Sequence, residues 1–447
     1  MKNFSIKSFT ILGLFGKSDI SIPFNKDIKI LIGENGLGKT QVLEILYYAL
    51  TRNFVRLSEY YFDSIKIDFQ DVSITISKKE LSNVVNLEGI DSFLKRIIDL
   101  IGINELLKLR NEIVESQITR RNFRNSFLFD KIDSDISPDD VYDYVLVNNK
   151  QIKAMFNFDE ILQKNELDNV LGTSQVLYIP MFRQLKEYFR WYNLEHYSNI
   201  QFEINSTIDF GMDDVNFRIS VIINKLNKLI KDGFSKISSE ILSQLVKGLP
   251  TIDNNFLTKI NQNDIEIILA RVGNSISQED KDRIKNIVST REIQDKDHSL
   301  LYFLQKLIDI YEQQRELDNA VKQFVTISNK YLVNKQVIYD ESAVSIYIQD
   351  ELSDKPLLLS KLSSGEKQII SIFSKIYLTT DDTKYIVIID EPELSLSVIW
   401  QEMLLPDILK SNKCIFLLAA THSPFIYENE LDKYAIGLHE YITKTKK

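Results

Sequence analysis

The stretch GENGLGKT, Gly33 to Thr40, decides how this chain is read. It fits the phosphate-binding loop pattern G-x-x-x-x-G-K-[ST], which chance produces in roughly one chain per hundred of this length at average glycine content. With 14 glycines in 447 residues, this chain is poorer in glycine than average, so chance is a weaker explanation still. The flanks agree with the motif. Ile28 to Ile32 (IKILI) is a short apolar run of the kind that forms a buried parallel strand. Gln41 to Leu50 (QVLEILYYAL) reads as a helix. In a strand–loop–helix setting, the backbone N–H groups of Gly36 to Thr40 cradle phosphates at a helix N-terminus. Lys39 then reaches the β- and γ-phosphates, and the Thr40 hydroxyl faces Mg2+.

Composition narrows the class. Hydrophobic residues make 44% and charged residues 26% of the chain, as expected for a globular protein with two or three domains' worth of core. A net charge of −9 argues against a surface coated in basic residues for nucleic acid, though not against a local basic groove. A single cysteine, Cys414, excludes an internal disulfide and a cysteine-rich zinc site. The start, MKNFSIKSF, has no apolar signal core, and no apolar run is long enough for a membrane span. A cytoplasmic protein of a reducing compartment is the expectation.

Outward from the loop, FSIKSFTILG and DISIPF read as two early strands, and SIKIDF with VSITIS as a hairpin. VLYIP, Val176 to Pro180, reads as another buried strand. From about 190 to 335 the pattern turns helical. Leu300, Leu301, Leu304, Leu307, Ile308, Tyr311, Leu317, Val321, Phe324 and Ile327 recur at helical steps within Ser299 to Leu332. That is one long amphipathic helix, either a core element or an oligomer seam. After Asn334 strands return as QVIYD, VSIYI and PLLLS.

A second cluster of motifs follows. LSSGEK, Leu362 to Lys367, opens a helix; on its own it is a capping box, Ser363 against Glu366. YIVIIDEPE then places Asp390 and Glu391 at the C-terminal end of an uninterrupted apolar strand, where open parallel sheets bind ligands. Asp390 suits the acid that holds Mg2+ through water, and Glu391 suits a base for the attacking water. Glu393 stands either behind it or in the base role itself. CIFLLAATHSP supplies a further strand, ending at Thr421 and His422, with His422 placed to contact a γ-phosphate. LSLS, Leu394 to Ser397, lies between the two strands, and Trp400–Gln401 opens the helix after it.

The order P-loop, helical insert, LSSGE, DEPE, LSLS, THSP resembles the ABC-type ATPases of the RecF, SMC and OLD-like group, over about residues 1–50 and 335–427. Ser364 and Glu366 depart from the transporter signature LSGGQ. The resemblance implies an α/β fold: an ABC-type P-loop ATPase head with a parallel sheet core, an antiparallel β-lobe and a large helical insertion. It divides the chain into 1–185, the N-terminal half of the head; 186–335, a helical insertion for oligomerisation or partner binding; and 336–447, the C-terminal half. It implies ATP and Mg2+ as ligands. Gly33, Glu34, Asn35, Gly36, Leu37, Gly38, Lys39, Thr40 and Gln41, with Ser363, Ser364, Gly365 and Glu366, would bind nucleotide. Thr40 and Asp390 would bind the metal, and Glu391, Glu393 and His422 would be catalytic. Two copies would meet head-to-tail, Ser363 and Gly365 of one closing on the γ-phosphate held by the other.

Within the group, IKSFTILGLFGKSDISIPFNKDIKILIGENGLGKT and LSSGEKQIISIFSKIYL are similar to the ATPase subunits of bacterial anti-phage defence systems. That likeness implies a homo-oligomer larger than a dimer, a separate Toprim-type effector nuclease held inactive, and ATP-dependent release on meeting a phage-encoded trigger protein. OLD-like proteins carry a Toprim nuclease after the ATPase; with 25 residues following His422, the expectation is an ATPase without nuclease activity of its own. Two alternatives stay open: a RecF-type repair ATPase that clamps DNA, and a Septu-type ATPase paired with an HNH nuclease. The acidic balance favours defence. Arg120, Arg121 and Arg124 around Phe123 are the best nucleic-acid patch, against a solvated or partner-binding loop. The acidic run Asp130 to Asp140 reads as a solvated loop, and Gln184, beside Arg183, and Gln70 are weak candidates for a glutamine loop near the nucleotide.

Overall fold

The structure, a computed structural model, describes residues 4–34, 36–84, 91–114, 120, 137–155, 166–180, 212–247, 261–273, 276–290, 298–379 and 383–444. Its strands are β1 (Ile6–Leu14), β2 (Ser18–Pro23), β3 (Ile28–Ile32), β4 (Ser64–Phe69), β5 (Ser73–Ser77), β6 (Gln175–Ile179), β7 (Lys335–Asp340), β8 (Ser345–Asp350), β9 (Pro356–Leu357), β10 (Tyr385–Asp390), β11 (Cys414–Thr421), β12 (Ala435–Gly437) and β13 (Ile442–Lys444). Its α-helices are α1 (Lys39–Leu50), α2 (Phe54–Glu59), α3 (Lys78–Val84), α4 (Ser92–Val114), α5 (Pro138–Val147), α6 (Asn149–Met155), α7 (Glu166–Leu171), α8 (Met212–Lys247), α9 (Gln262–Arg271), α10 (Gln278–Thr290), α11 (His298–Ser328), α12 (Ser364–Tyr377) and α13 (Val398–Leu409). Two compact units divide the chain: residues 1–209 with 383–447, and residues 210–382. Residues 336–382, with the LSSGEK stretch, therefore belong to the same unit as the long helices.

The first unit carries two sheets. A parallel sheet runs in the order β12-β3-β11-β10-β6. Every residue of β10 is buried, as continuous apolar sequence requires of a central strand covered on both faces. Burying each of its isoleucines contributes about 1.5–3 kcal/mol. An antiparallel sheet runs β13-β2-β1-β4-β5. Here the strands alternate: Ile65, Ile67 and Phe69 of β4 point inward, while Lys66 is exposed. Helix α1 joins the two sheets in one core, with Val42, Leu43, Ile45 and Leu46 packed among Phe9, Ile11, Ile386, Ile388 and Leu418.

The second unit is mainly helical. Helices α8 and α11 pack along one another, and α12 packs on both. The inward face of α11 holds Leu301, Leu304, Leu307, Tyr311, Leu317, Val321, Phe324 and Ile327, so the predicted periodic stripe is core. Arg271 of α9 makes a two-pronged ion pair with Asp318 of α11 at 2.8 and 2.9 Å and donates to Glu341 O at 2.9 Å, tying these helices to the β7–β8 turn. Sheet β7-β8-β9 is antiparallel. PLLLS forms only the two residues of β9, because a 3-10 turn begins at Leu359 with Lys361 N–H bonded to Leu358 O at 2.9 Å. Among the described residues no helix is long and apolar enough to cross a membrane.

Candidate functional site

The chain leaves β3 at Ile32 and enters α1 at Lys39 through the glycine loop. Gly36 and Gly38 take φ of +87° and +85°, a left-handed backbone that only glycine adopts freely. Space is not the limit at Gly38, where an added Cβ would meet nothing nearer than Gln41 Oε1 at 3.6 Å. The backbone conformation itself calls for glycine. The loop sets Lys39 at the start of α1, buried to 5% exposure. Its Nζ donates to Gly33 O at 2.8 Å, to Glu34 O at 3.4 Å and to His422 Nε2 at 2.6 Å. Burial lowers the Lys39 pKa, against the opposing pull of Glu391, Asp390 and Glu393.

Three elements meet here: α1, β10 and β11. Thr40 Oγ1 donates to Asp390 Oδ2 at 2.7 Å, joining α1 to the end of β10. Asp390 is 1% exposed, and its Oδ1 has no hydrogen-bond partner among the described residues. Burial pushes the Asp390 carboxyl up to about 6, opposed by the Thr40 hydrogen bond and the charge of Lys39. The next residue, Glu391, has φ of +48°, with its N–H bonded to Ala420 O of β11 at 2.9 Å. A left-handed non-glycine residue costs on the order of 1–3 kcal/mol and persists where surrounding contacts impose it. Glu391 Oε1 lies 3.2 Å from His422 Nε2 and 4.0 Å from Lys39 Nζ. Burial, then the hydrogen bond and charge of Glu393, then Asp390, hold the Glu391 carboxyl above the usual carboxylate range. Burial and Lys39 hold the His422 imidazole below its ordinary pKa, consistent with a neutral ring accepting from the ammonium.

Glu393 is placed differently. Its carboxylate accepts from Thr421 Oγ1 at 2.6 Å, His422 N–H at 2.8 Å and Ser423 N–H at 3.2 Å. It clamps the loop after β11 and so aims His422 at Lys39. Gln401 of α13 braces the same loop: Ser423 Oγ donates to its Oε1 at 2.6 Å, and its Nε2 donates to Leu396 O at 2.9 Å. Ser397 caps α13 by accepting from Trp400 N–H.

In the second unit, Ser363 is the N-cap of α12. Its hydroxyl accepts from Glu366 N–H at 3.4 Å, while Ser363 N–H donates to Glu366 Oε2 at 2.7 Å. Lys335 Nζ donates to Glu366 Oε1 at 2.7 Å. Burial works against ionisation of Glu366, but Lys335 and Ser363 hold its carboxyl below the usual range. Ser363 and Ser364 are exposed, whereas Gly365 and Glu366 are buried.

Among the residues near the loop, Phe15 and Tyr61 were not singled out by the sequence. Phe15, in the β1–β2 turn, has φ of +54° and brings Cε2 to 3.8 Å from a Cβ built on Gly38. Its N–H bonds Tyr61 O at 3.0 Å, and both rings are exposed, by 52% and 64%. The only sequence signal was an aromatic residue before a turn glycine. Gln70 sits in the β4–β5 turn, where its carbonyl accepts from Lys7 at 2.9 Å. That is at the Ile6 end of β1, whereas Leu14 and Phe15 at the other end lie beside the loop, each 3.8 Å from where a Cβ on Gly38 would sit. A nine-residue strand puts about 25 Å between the two, so Gln70 is remote from the loop. Asn35, Arg183, Gln184, Arg121, Phe123, Arg124 and residues 130–136 lie outside the described residues. Arg120 pairs with Asp143 and lies 5.9 Å from the centroid of the Tyr142 ring.

Fold and site together define a P-loop ATPase head. The chain belongs to the AAA_15 family of AAA ATPase domains, which matches residues 5–427. It is 22% identical over 283 residues to the DNA replication and repair protein RecF of Clostridium beijerinckii, covering 59% of this chain and 74% of that protein. It is 24% identical over 258 residues to RecF of Clostridium tetani, covering 54% and 67%. Among solved structures, the Smc head domain of Pyrococcus furiosus, bound to the C-terminal domain of ScpA, is 11% identical with a TM-score of 0.38, over 94% of this chain and 90% of that one. The Smc head of Pyrococcus yayanosii, with coiled coil and joint, is 12% identical with a TM-score of 0.30, over 94% and 92%.

Proposed function

We propose that this chain binds and hydrolyses Mg2+–ATP, and that ATP joins two copies head-to-tail. One observation carries the reading: Lys39, Thr40, Asp390, Glu391 and His422 converge at one end of a parallel sheet, from the first turn of α1 and the ends of β10 and β11. Phosphate oxygens would take the acceptor places that Gly33 O and His422 fill on the Lys39 ammonium. The loop N–H groups would bind the same anion. The residues fit a divalent cation by the chemistry of the donor set: a buried carboxylate, Asp390, with the Thr40 hydroxyl 2.7 Å from it at the start of α1. Thr40 and Asp390 would hold Mg2+, which when bound offsets charge on the phosphates.

Glu391 is the proposed base for the attacking water, because Glu393 is occupied by three donors of the THSP loop. His422 would contact the γ-phosphate from the same side. Ser363 and Gly365 of a second copy would complete the pocket, with the exposed Ser363 and Ser364 at the tip of α12 making that contact. Residues 186–335 are proposed to serve oligomerisation or partner binding.

The finer proposal is a subunit of a PARIS-type anti-phage system. It would work in the cytoplasm as a homo-oligomer, hold a separate Toprim-type nuclease inactive, and release it on meeting a phage-encoded trigger. The likeness of the N-terminal run and of LSSGEKQIISIFSKIYL, with the net charge of −9, supports it. A second reading, a DNA-clamping ATPase, is favoured by the RecF relatives. Lys39→Ala decides the core claim: ATP binding and every downstream output should be lost, and ordinary ATP affinity in that variant would refute it. Co-purification of a nuclease encoded beside this chain separates defence from repair. Salt-dependent DNA binding that disappears on charge reversal at Arg120, Arg121 and Arg124 would favour repair instead.

A further inference from the structure

We infer that Glu44 and Tyr178 form a positioning layer beneath the Mg2+ site, joined to Asp390 through one ordered water; the inference rests on the Mg2+–ATP reading above. Glu44 lies one helical turn beyond Thr40 on α1, so it shares the face that meets Asp390. Its Oε2 accepts from Tyr60 OH at 2.7 Å. Tyr178 of β6 stacks on Tyr47 of α1, with centroids 4.9 Å apart and planes 23° from parallel. In the β6–β10 register Tyr178 stands beside Ile388, two residues before Asp390. Side chains two apart on a strand share a face. Tyr178 and Asp390 therefore look toward α1 from the same side of the sheet.

Among the described residues, two polar atoms under α1 have no partner: the Tyr178 hydroxyl and Asp390 Oδ1. Both residues are nine-tenths or more buried, at 4% and 1% exposure. Burial, then the charges of Glu44 and Asp390, push the Tyr178 phenol far above its ordinary pKa. Burial raises the Glu44 carboxyl too, with the Tyr60 hydrogen bond opposing and the charge of Asp390 adding to the rise. All three groups thus sit within electrostatic reach of one another.

A hydroxyl and a carboxylate oxygen left unpaired in the interior are costly, and native proteins satisfy such groups with internal water. A single water suits this set. It accepts from the Tyr178 hydroxyl and donates to Asp390 Oδ1 and to the Glu44 carboxylate, the three bonds typical of a buried water. Asp390 is then held at both oxygens, Oδ2 by Thr40 and Oδ1 by the water. Glu44 acts only through Asp390, as outer-shell partners do at metal sites.

The test uses the full chain and two variants that keep shape, Tyr178→Phe and Glu44→Gln. The readouts are the Mg2+ concentration giving half-maximal binding of a fluorescent ATP analogue, and the melting temperature without nucleotide. Each variant should raise the Mg2+ midpoint about tenfold. The double variant should do little worse than the poorer single, because both remove the same water. Tyr178→Phe should also lower the nucleotide-free melting temperature. A Mg2+ midpoint within about twofold of wild type, or a melting temperature that rises on Tyr178→Phe, overturns the inference. A rise would mean that the hydroxyl was an orphan relieved by its removal. Should Glu44→Gln not fold, Tyr178→Phe decides alone. Should the wild-type chain lack Mg2+-dependent nucleotide binding, the proposed function fails, while the melting comparison still judges the water.

Discussion

The two acids after β10 illustrate how much a few ångströms settle. DEPE places Glu391 and Glu393 two residues apart, and spacing alone leaves the base role open between them. The tertiary contacts separate them: Glu391 faces Lys39 and His422, and Glu393 faces the Thr421 hydroxyl and the backbone N–H groups of His422 and Ser423. Glu391→Gln should therefore retain ATP and slow single-turnover hydrolysis by at least about a hundredfold. Glu393→Gln should loosen the THSP loop, lowering stability by about 1–3 kcal/mol in denaturant melts, with a smaller loss of turnover. Turnover untouched in Glu391→Gln but abolished in a fully stable Glu393→Gln would exchange the roles. The glycine loop was legible because its residue types are demanded locally, by positive φ at Gly36 and Gly38. The Glu393 clamp was not, because its partners lie on another strand and meet it only after the sheet forms. Phe15, Glu44 and Tyr178 were hidden for the same reason.

At the scale of elements, buried strands and long helices were read from apolar run length and period, as β3, β6, β10 and α11 show. PLLLS failed because an apolar run does not state whether a facing strand exists; Leu358 ends 70% exposed. The LSSGEK stretch held two meanings at once, a helix cap and a proposed phosphate contact. The cap bond to the Ser363 hydroxyl is long at 3.4 Å, whereas Glu366 has two bonds of 2.7 Å. Ser363→Ala should therefore cost under about 1 kcal/mol of stability and Glu366→Ala more. A urea midpoint that falls further for Ser363→Ala than for Glu366→Ala would contradict this account of the cap. Farther along α12, burial and then Arg218 lower the Lys375 pKa from 10.5 to about 8. The unfolded chain keeps this proton up to the higher value, the folded chain only to the lower. Stability contributed here therefore rises with pH across that window. Lys375→Met should be more stable than wild type at pH 7, with the advantage shrinking between pH 8 and 10.5. A constant difference across that range would mean the ammonium stays charged in the fold.

For the whole molecule, the question is whether one polypeptide makes a complete pocket. The phosphate loop and the α12 cap belong to different compact units, and on the proposed mechanism each pocket takes one from each of two copies. Lys39→Ala damages the loop and spares the cap; Ser363→Arg does the reverse. In a head-to-tail dimer of one of each, one pocket unites two damaged parts and the other two intact parts. Mixing the two inactive variants in equal amounts should make half the dimers mixed, each with one sound pocket of two. Hydrolysis should then return to roughly a quarter of the wild-type rate per chain. Pockets completed within a single polypeptide give no recovery, since every chain in the mixture then carries a broken site. Dilution supplies the control. Recovered activity should fall with protein concentration more steeply than linearly, because a shared pocket exists only while two chains are joined.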